Sequence, residues 1–458
     1  PRVSVVDLVI HNGRVVTPSG VLRAGVAVDD GRIVAIVEET HLPENREALD
    51  ARGMLVLPGG IDPHVHLHPR GYEYRGDFGS NSLAAAAGGT TTFIDFIPPT
   101  PESYRTAIPK RLKEAEVSAV DFAFHAVVLN EEHVRDLAWA RDQGVVSFKF
   151  FMSGLDGVPA VSRGLQLAAF EKLAELEVPA IVHAESDEIN RYLQARMKAE
   201  GRNDALAHAR SRPICSECEA IQAAVEMARW AGNRLHIFHI TSREAAELVR
   251  NAKGRGLPVT GETCPHYLLL GEEDLPRLGP LLQMTPPIRP RRSGEGLWDL
   301  LADGTIDCIV SDHYAPLKHE KGPGFDYIWN IEGGVPGVET RMMLTFNEGV
   351  MGGRLSLERW VETCTSRAAE IFGLDNQKGG IVVGKDADLV LWNDDAPFEI
   401  NPDELKTVTD WTPFEGMKGS GRADTVLVGG RPVMRNGELV AEPGKGVFLP
   451  AGGAPALV

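Results

Sequence analysis

Pro58-Gly-Gly-Ile-Asp-Pro-His-Val-His66 is a glycine turn followed by a short strand that ends in two histidines. Because successive side chains of a strand point to opposite faces, a His-x-His pair directs both imidazoles to one side. Seven further apolar runs follow, at Thr91–Ile97, Phe122–Val128, Val145–Phe151, Val178–His183, Leu235–Ile240, Leu257–Thr263 and Ile306–Val310. With Ile61–His66 they make eight strands, and helical patterns lie between many of them. This count predicts an α/β fold, a TIM-like (β/α)8 barrel.

An open doubly wound sheet is the alternative, but no glycine-rich phosphate loop follows the early strands. Both chain ends carry strand patterns with hairpin turns, such as Asn12-Gly13 after Val5–Ile10 and Asn436-Gly437 after Arg431–Met434. We therefore predict that residues 1–53 and 377–458 form one small β-sandwich domain. Residues 54–376 would form the catalytic barrel.

Composition excludes several classes of function. The formal net charge of −17 argues against a nucleic-acid partner, which would need clustered Lys and Arg. No apolar run reaches the roughly 20 residues that cross a bilayer, and no export signal begins the chain. Five cysteines in a long chain fit a reducing compartment, so we expect a cytoplasmic protein. Cys215-Ser-Glu-Cys218 has zinc-finger spacing, but it lies in a helical pattern and no second pair follows, which favours ordinary helix cysteines.

Polar residues stand where the apolar strands end. In a parallel barrel all carboxyl ends of the strands open onto one face, so these residues should converge there. They are His64, His66, Lys149, His183, His239 and Asp312. Histidines with an aspartate suit zinc or a similar borderline metal.

Lys149 lies inside the apolar run Val145–Phe151, where an uncompensated ammonium would be costly. One interpretation is an ion pair with a carboxylate. The other is a carbamate, formed by reaction of the amine with carbon dioxide, whose oxygens bridge two cations. The surrounding metal ligands favour the carbamate.

The chain resembles the amidohydrolase superfamily and, within it, the cyclic amidases. The resemblance covers nearly the whole chain and includes Ala86-Ala-Gly-Gly-Thr-Thr-Thr92, Ser147-Phe-Lys-Phe150, Val182-His-Ala-Glu185, His236-Ile-Phe-His-Ile-Thr-Ser242, Glu262-Thr-Cys-Pro-His-Tyr267, Pro286-Pro-Ile-Arg289, Ile306-Asp-Cys-Ile-Val-Ser-Asp-His313 and Gly384-Lys-Asp-Ala-Asp-Leu-Val390.

The resemblance implies two divalent cations, zinc first, bridged by N6-carboxylysine at Lys149. One cation would also be held by His64, His66 and Asp312, and the other by His183 and His239. A metal-bridging hydroxide would open a small cyclic amide, with Asp312 as the proton-transfer residue. Backbone groups near Glu262 and Gly333 would bind the ring amide, and the chain would form a homodimer or homotetramer.

Sequence differences between this chain and the known cyclic amidases give an order of candidate substrates. Dihydroorotases carry an arginine where this chain has His68 and an asparagine where it has Pro99, so dihydroorotase ranks third, although Gly334–Arg341 speaks for it. Hydantoins or dihydropyrimidines rank first and allantoin second. Many hydantoinases have a substrate-binding tyrosine at the position of Gly154, so we expect Gly154 to lie at the substrate site, and the missing tyrosine leaves the enantiomer preference open. A catalytically silent dihydropyrimidinase-like assembly protein is the alternative class, but such relatives lose metal ligands and this chain retains them all.

Overall fold

A parallel eight-stranded sheet lies at the centre of the computed structural model, which describes residues 5–68, 76–155, 157–441 and 443–453. The described strands are β1 (Val6–His11), β2 (Arg14–Thr17), β3 (Gly20–Arg23), β4 (Gly25–Asp29), β5 (Arg32–Val37), β6 (Asn45–Asp50), β7 (Leu55–Pro58), β8 (Gly60–Asp62), β9 (Thr90–Ile97), β10 (Asp121–Val127), β11 (Ser147–Phe151), β12 (Ala180–His183), β13 (Leu235–Ile237), β14 (Val259–Thr263), β15 (Cys308–Ile309), β16 (Leu389–Glu399), β17 (Lys418–Val428), β18 (Arg431–Arg435) and β19 (Glu438–Leu439).

Strands β8 to β15 follow one another in the sheet in chain order, and every neighbouring pair is parallel. All eight residues of β9 are buried, as expected of a strand covered on both faces. A parallel bridge between Val65 and His313, just beyond β8 and β15, joins the two ends of the sheet. The predicted barrel is confirmed.

Helices follow the barrel strands and cover the outer face. Serine side chains fix the start of two of them: Ser162 caps α5 (Arg163–Leu176) and Ser242 caps α9 (Arg243–Gly254) by accepting backbone N–H groups. The described helices are α1 (Phe78–Ala87), α2 (Tyr104–Ala115), α3 (Glu131–Arg135), α4 (Leu137–Asp142), α5 (Arg163–Leu176), α6 (Asp187–Ala199), α7 (Ala205–Ser211), α8 (Ile214–Ala231), α9 (Arg243–Gly254), α10 (Pro265–Leu269), α11 (Leu275–Leu278), α12 (Arg291–Ala302), α13 (Lys318–Lys321), α14 (Arg341–Thr345), α15 (Leu357–Cys364) and α16 (Ser366–Phe372).

The helix interpretation of the cysteine pair is confirmed, since Cys215 and Cys218 both lie in α8. Among the helices that the structure describes, none combines the length and apolar character that crossing a bilayer requires.

The two chain ends form the predicted sandwich of two sheets. A four-stranded sheet has the order β5-β4-β1-β6, and a seven-stranded sheet has the order β19-β18-β17-β16-β7-β2-β3, which joins both termini. One apolar core contains Leu8 and Val26 from the first sheet with Val15 and Leu389 from the second. The domain boundary after residue 53 stays a prediction, and β7, just beyond it, pairs with β16 of the terminal sheet.

A buried lysine connects the barrel to this terminal domain. Lys378 is 1% exposed, and its Nζ lies 2.5 Å from Asp121 of β10. The same Nζ lies 3.0 Å from Asp386 and 2.8 Å from Asp388 in the segment that leads into β16. Burial opposes the charge on Lys378, but the three carboxylates outweigh it and hold the lysine pKa above its ordinary value.

Several barrel strands are shorter than predicted, so the sequence-based placement of four candidate ligands at strand ends needs correction. Strands β8, β13 and β15 end before His64, His66, His239 and Asp312, which lie in the following loops. Pro63 has no N–H to continue the ladder after β8. His239 and Asp312 have φ of 40° and 46°, a left-handed conformation that turns the chain out of the strand. Lys149 in β11 and His183 at the end of β12 lie as predicted.

Candidate metal centre

The structure brings all six predicted ligand residues to one cavity of about 390 Å³. The cavity lies beyond the carboxyl ends of the barrel strands, where the loops after β8, β13 and β15 meet Lys149 and His183. These residues are His64, His66, Lys149, His183, His239 and Asp312. Convergence of residues separated by up to 248 positions therefore follows from the barrel topology, as predicted.

One group consists of His64, His66 and Asp312. The two histidine Nε2 atoms lie 3.2 Å apart, and Asp312 Oδ1 lies 3.1 Å from His64 Nε2 and 3.3 Å from His66 Nε2. Burial opposes ionisation of Asp312, but His64 and His66 hold the pKa of its carboxyl well below the usual range. An ionised carboxylate and two imidazoles within this distance can hold a divalent cation.

A second group consists of His183 and His239, whose Nδ1 and Nε2 atoms lie 3.0 Å apart. The His64 and His239 ring centroids are 5.5 Å apart, so the two groups are neighbours. Burial lowers the pKa of His183 and lowers that of His239 well below its ordinary value. Neutral imidazoles are the form that binds metals.

Lys149 lies beside both groups in an apolar setting. Its side chain is 1% exposed, and its Nζ lies 3.9 Å from the ring centroid of Phe238 and 5.2 Å from that of Phe151. In the part of the chain that the structure describes, no carboxylate lies within ion-pair distance of this Nζ. Burial lowers the lysine pKa to about 7, although Asp312 and Glu262 act in the opposite direction. The amine is therefore unusually ready to lose its proton, which formation of a carbamate requires.

Each group has a carboxylate behind one of its histidines. Glu262 accepts from His64 Nδ1 at 2.6 Å and from His236 Nε2 at 3.0 Å. Glu185 accepts from His183 Nε2 at 2.7 Å, and Arg212 Nη2 donates to the same carboxylate at 2.9 Å. Such carboxylates fix the tautomer and orientation of metal-binding histidines. His64 is therefore left with Nε2 and His183 with Nδ1 facing the cavity.

Glu185, His236 and Arg212 were missed as functional residues in the sequence. Glu185 carried a usable signal, because it follows the strand-end His183 by two residues on the same barrel face. His236 and Arg212 carried none, since a histidine inside an apolar strand and an arginine before a helix are ordinary structural residues.

The three predicted substrate-binding residues have different surroundings. Gly333 lines the cavity together with Tyr314. Gly154 instead lines a neighbouring pocket of about 250 Å³ and donates its N–H to Asp187 at 2.9 Å. The Glu262 carbonyl accepts from the Ile240 N–H at 2.7 Å, within the barrel. Substrate contacts of these residues stay a prediction.

The cavity walls are largely apolar. They are formed by Leu67, Phe96, Pro98, Pro99, Val127, Phe151, Leu155, Val158 and Met284. Arg111 also reaches the cavity, but its guanidinium is bound to Asp95 at 2.6 Å and to the Leu67 carbonyl at 2.7 Å. The site thus combines one polar floor of metal-type ligands with walls that suit an uncharged organic molecule.

Nearly the whole chain is similar to known proteins of one family. The sequence model of the amidohydrolase family matches residues 55–433. A D-hydantoinase of Ralstonia pickettii is 36% identical over 97% of this chain and 98% of the relative. An allantoinase of Solibacter usitatus is 35% identical over 97% of both chains. The solved structure of an L-hydantoinase (dihydropyrimidinase) from Arthrobacter aurescens superposes with a TM-score of 0.93, at 34% identity, covering 97% of this chain and 100% of that one.

Proposed function

Because this chain belongs to the amidohydrolase family and is a cyclic amide hydrolase, we propose that it opens hydantoins or dihydropyrimidines with two divalent cations. The observation that carries the proposal is the cavity on which four histidines, Lys149 and Asp312 converge. The donors are imidazole nitrogens and carboxylate oxygens, a set that suits zinc and also accepts manganese, cobalt or nickel.

One cation would be held by His64, His66 and Asp312, and the other by His183 and His239. Lys149 would join the two as a carbamate, N6-carboxylysine. This role is supported by its burial beside both groups and by its lowered pKa of about 7, which favours loss of the amine proton. When bound, the two cations would supply a hydroxide at neutral pH and polarise the ring carbonyl.

Asp312 is the residue we assign to proton transfer. Its carboxyl is ionised, because its pKa lies well below the usual range, and its Oδ1 lies at the polar floor of the cavity. It would accept the proton of the attacking hydroxide and deliver it to the ring nitrogen as the ring C–N bond breaks. A group that takes and then returns one proton leaves the enzyme unchanged after each turnover.

The apolar walls favour rings with uncharged or apolar substituents, in the order hydantoins or dihydropyrimidines, then allantoin. Allantoin keeps second place because the curated relatives include allantoinases at 35% identity. Dihydroorotate ranks third. Its carboxylate would need a free cationic partner, and Arg111 is already bound by Asp95.

Substitution of Lys149 tests the metal arrangement. Lys149→Ala should lose activity and at least one equivalent of metal, measured by elemental analysis after dialysis. Short carboxylic acids should restore part of the activity, because they can enter the space of the lost carbamate. Lys149→Met is the matched control: its side chain fills that space, so the same acids should not rescue it. Full activity with two metals in Lys149→Ala would overturn the carbamate.

A hydrolysis panel tests the substrate. It should include hydantoin, both enantiomers of 5-substituted hydantoins, dihydrouracil, allantoin and dihydroorotate, with the zinc-loaded protein. Opening of hydantoins or dihydrouracil supports the proposal, and opening of allantoin alone transfers it to the second candidate. No opening of any ring, with two metals bound, would refute the proposed substrates. The homodimer or homotetramer stays a prediction, which sedimentation velocity can test.

A further inference from the structure

A thiol, an imidazole and a carboxylate meet beside the polar floor of the cavity. One ligand atom each of Cys264, His266 and Asp312 lies within 4.8 Å of the others. Cys264 directly follows β14 and is the N-cap residue of α10, and His266 lies in the first turn of that helix. Asp312 therefore belongs to two groups of potential ligands, the one with His64 and His66 and this one.

Cys264 and His266 are fully buried, at 0% and 1% exposure, and the mechanism above uses neither side chain. Cys264 is not in a disulfide. His266 Nε2 has no hydrogen-bond partner in the described part of the chain. A buried polar atom without a hydrogen-bond partner destabilises the folded protein, so its presence calls for an explanation.

We propose that Cys264, His266 and Asp312 form a third cation site, which shares Asp312 with the group of His64 and His66 and takes a soft or borderline divalent cation such as Zn²⁺ in excess or Cd²⁺. Binding replaces the thiol proton by the cation and releases that proton to solvent, so the ligands become a thiolate, a neutral imidazole and a carboxylate. A sulfur ligand selects Zn²⁺ and Cd²⁺ over Mg²⁺ and Mn²⁺.

Occupation of this site has a consequence for turnover, which rests on the proposed function. Asp312 cannot fully serve as a proton carrier while its carboxylate is held by an additional cation. A third equivalent of Cd²⁺ or Zn²⁺ should therefore inhibit an enzyme that already holds two zinc ions. The same excess of Mn²⁺ should not inhibit it.

The binding test uses the whole chain carrying Cys215→Ser and Cys218→Ser and loaded with two equivalents of zinc, because the free thiols of these two α8 cysteines would bind Cd²⁺ themselves. Cd²⁺ is titrated while thiolate-to-cadmium charge-transfer absorption is recorded in the ultraviolet, and retained zinc is measured in the same samples. We expect about one bound Cd²⁺ with this absorption and with both zinc ions retained. Cys264→Ser should abolish the absorption, and His266→Gln should weaken Cd²⁺ binding by roughly tenfold or more. Cys364→Ser, at a buried cysteine of α15, is the matched control and should keep the absorption.

Persistence of the absorption in Cys264→Ser would overturn the site, as would cadmium that only replaces zinc without sulfur coordination. Circular dichroism identifies a misfolded variant, in which case His266→Gln decides by its Cd²⁺ affinity. The absorption needs no substrate, so it tests the site even if every ring in the panel resists hydrolysis. Equal inhibition of Cys264→Ser and the unchanged protein by Cd²⁺ would overturn the inhibitory role alone.

Discussion

The Glu262→Gln substitution should weaken metal binding while the protein still folds. The Glu262 carboxylate is completely buried and accepts hydrogen bonds from His64 and His236 at 2.6 and 3.0 Å. Glutamine has one acceptor oxygen and one amide nitrogen in the same space. His236 Nδ1 lies 2.7 Å from the hydroxyl of Thr260, which can donate or accept, so His236 can change tautomer and accept from the amide.

The magnitude follows from what the substitution removes. Both contacts persist in geometry, but the bond to His64 is no longer made to a charged group. Hydrogen bonds to charged groups contribute about 1.5–3 kcal/mol and neutral ones about 0.5–1.5 kcal/mol. The midpoints of these two ranges differ by about 1.3 kcal/mol, which corresponds to roughly tenfold in affinity. This is the lower end of the 10–100-fold range known for residues that orient metal ligands.

Competition with a chromophoric chelator measures the metal affinity, and kcat/KM is measured at saturating metal. The matched control is Glu339→Gln. Glu339 is also buried but accepts from the N–H groups of Lys406 and Thr407, and burial raises its pKa to about 7. Unchanged metal affinity in Glu262→Gln would refute the orienting role. An equal loss in Glu339→Gln would show that any buried carboxylate has this effect.

Three further substitutions test other parts of the structure. Asp312→Asn should retain at least some metal but lower kcat by about 10²–10⁴-fold, because an amide cannot accept the proton. Undiminished turnover would show that Asp312 does not transfer the proton. Arg212→Gln removes the cationic partner of Glu185, the carboxylate that orients His183. In the chelator competition, one metal equivalent should therefore bind roughly tenfold more weakly and the other should be unaffected. Lys378→Met leaves buried carboxylates without a cation and should lower the free energy of unfolding by about 3–5 kcal/mol. Lys418→Met, which breaks the exposed ion pair with Glu399, is the control and should lower it by about 1 kcal/mol or less. Loss of the lysine raises the pKa of Asp121 further. The melting temperature of Lys378→Met should therefore be closest to that of the unchanged protein at acid pH, where Asp121 is protonated, and fall further below it as the pH rises. A difference that shrinks with rising pH contradicts this account.

The sequence predicted the barrel because its strands are covered on both faces and therefore read as continuous apolar runs. It also predicted which six residues meet, because the barrel topology brings strand ends together whatever their spacing in the chain. It did not predict where the strands stop. The left-handed backbone at His239 and Asp312 depends on tertiary contacts, and no local pattern of residue types marks it.

The hydrogen-bond partners of the candidate metal ligands could not be predicted from the sequence, since the bond between Glu262 and His64 joins residues 198 positions apart. Their arrangement nevertheless makes the two halves of the site depend on different parts of the fold. His64 is oriented from β14 and lies beside the seam where Val65 and His313 join the sheet ends. His183 is oriented by Glu185, only two residues along its own segment. Loosening the seam should therefore weaken the group of His64, His66 and Asp312 first, while His183 and His239 keep their geometry, because only the first group requires the barrel to be closed.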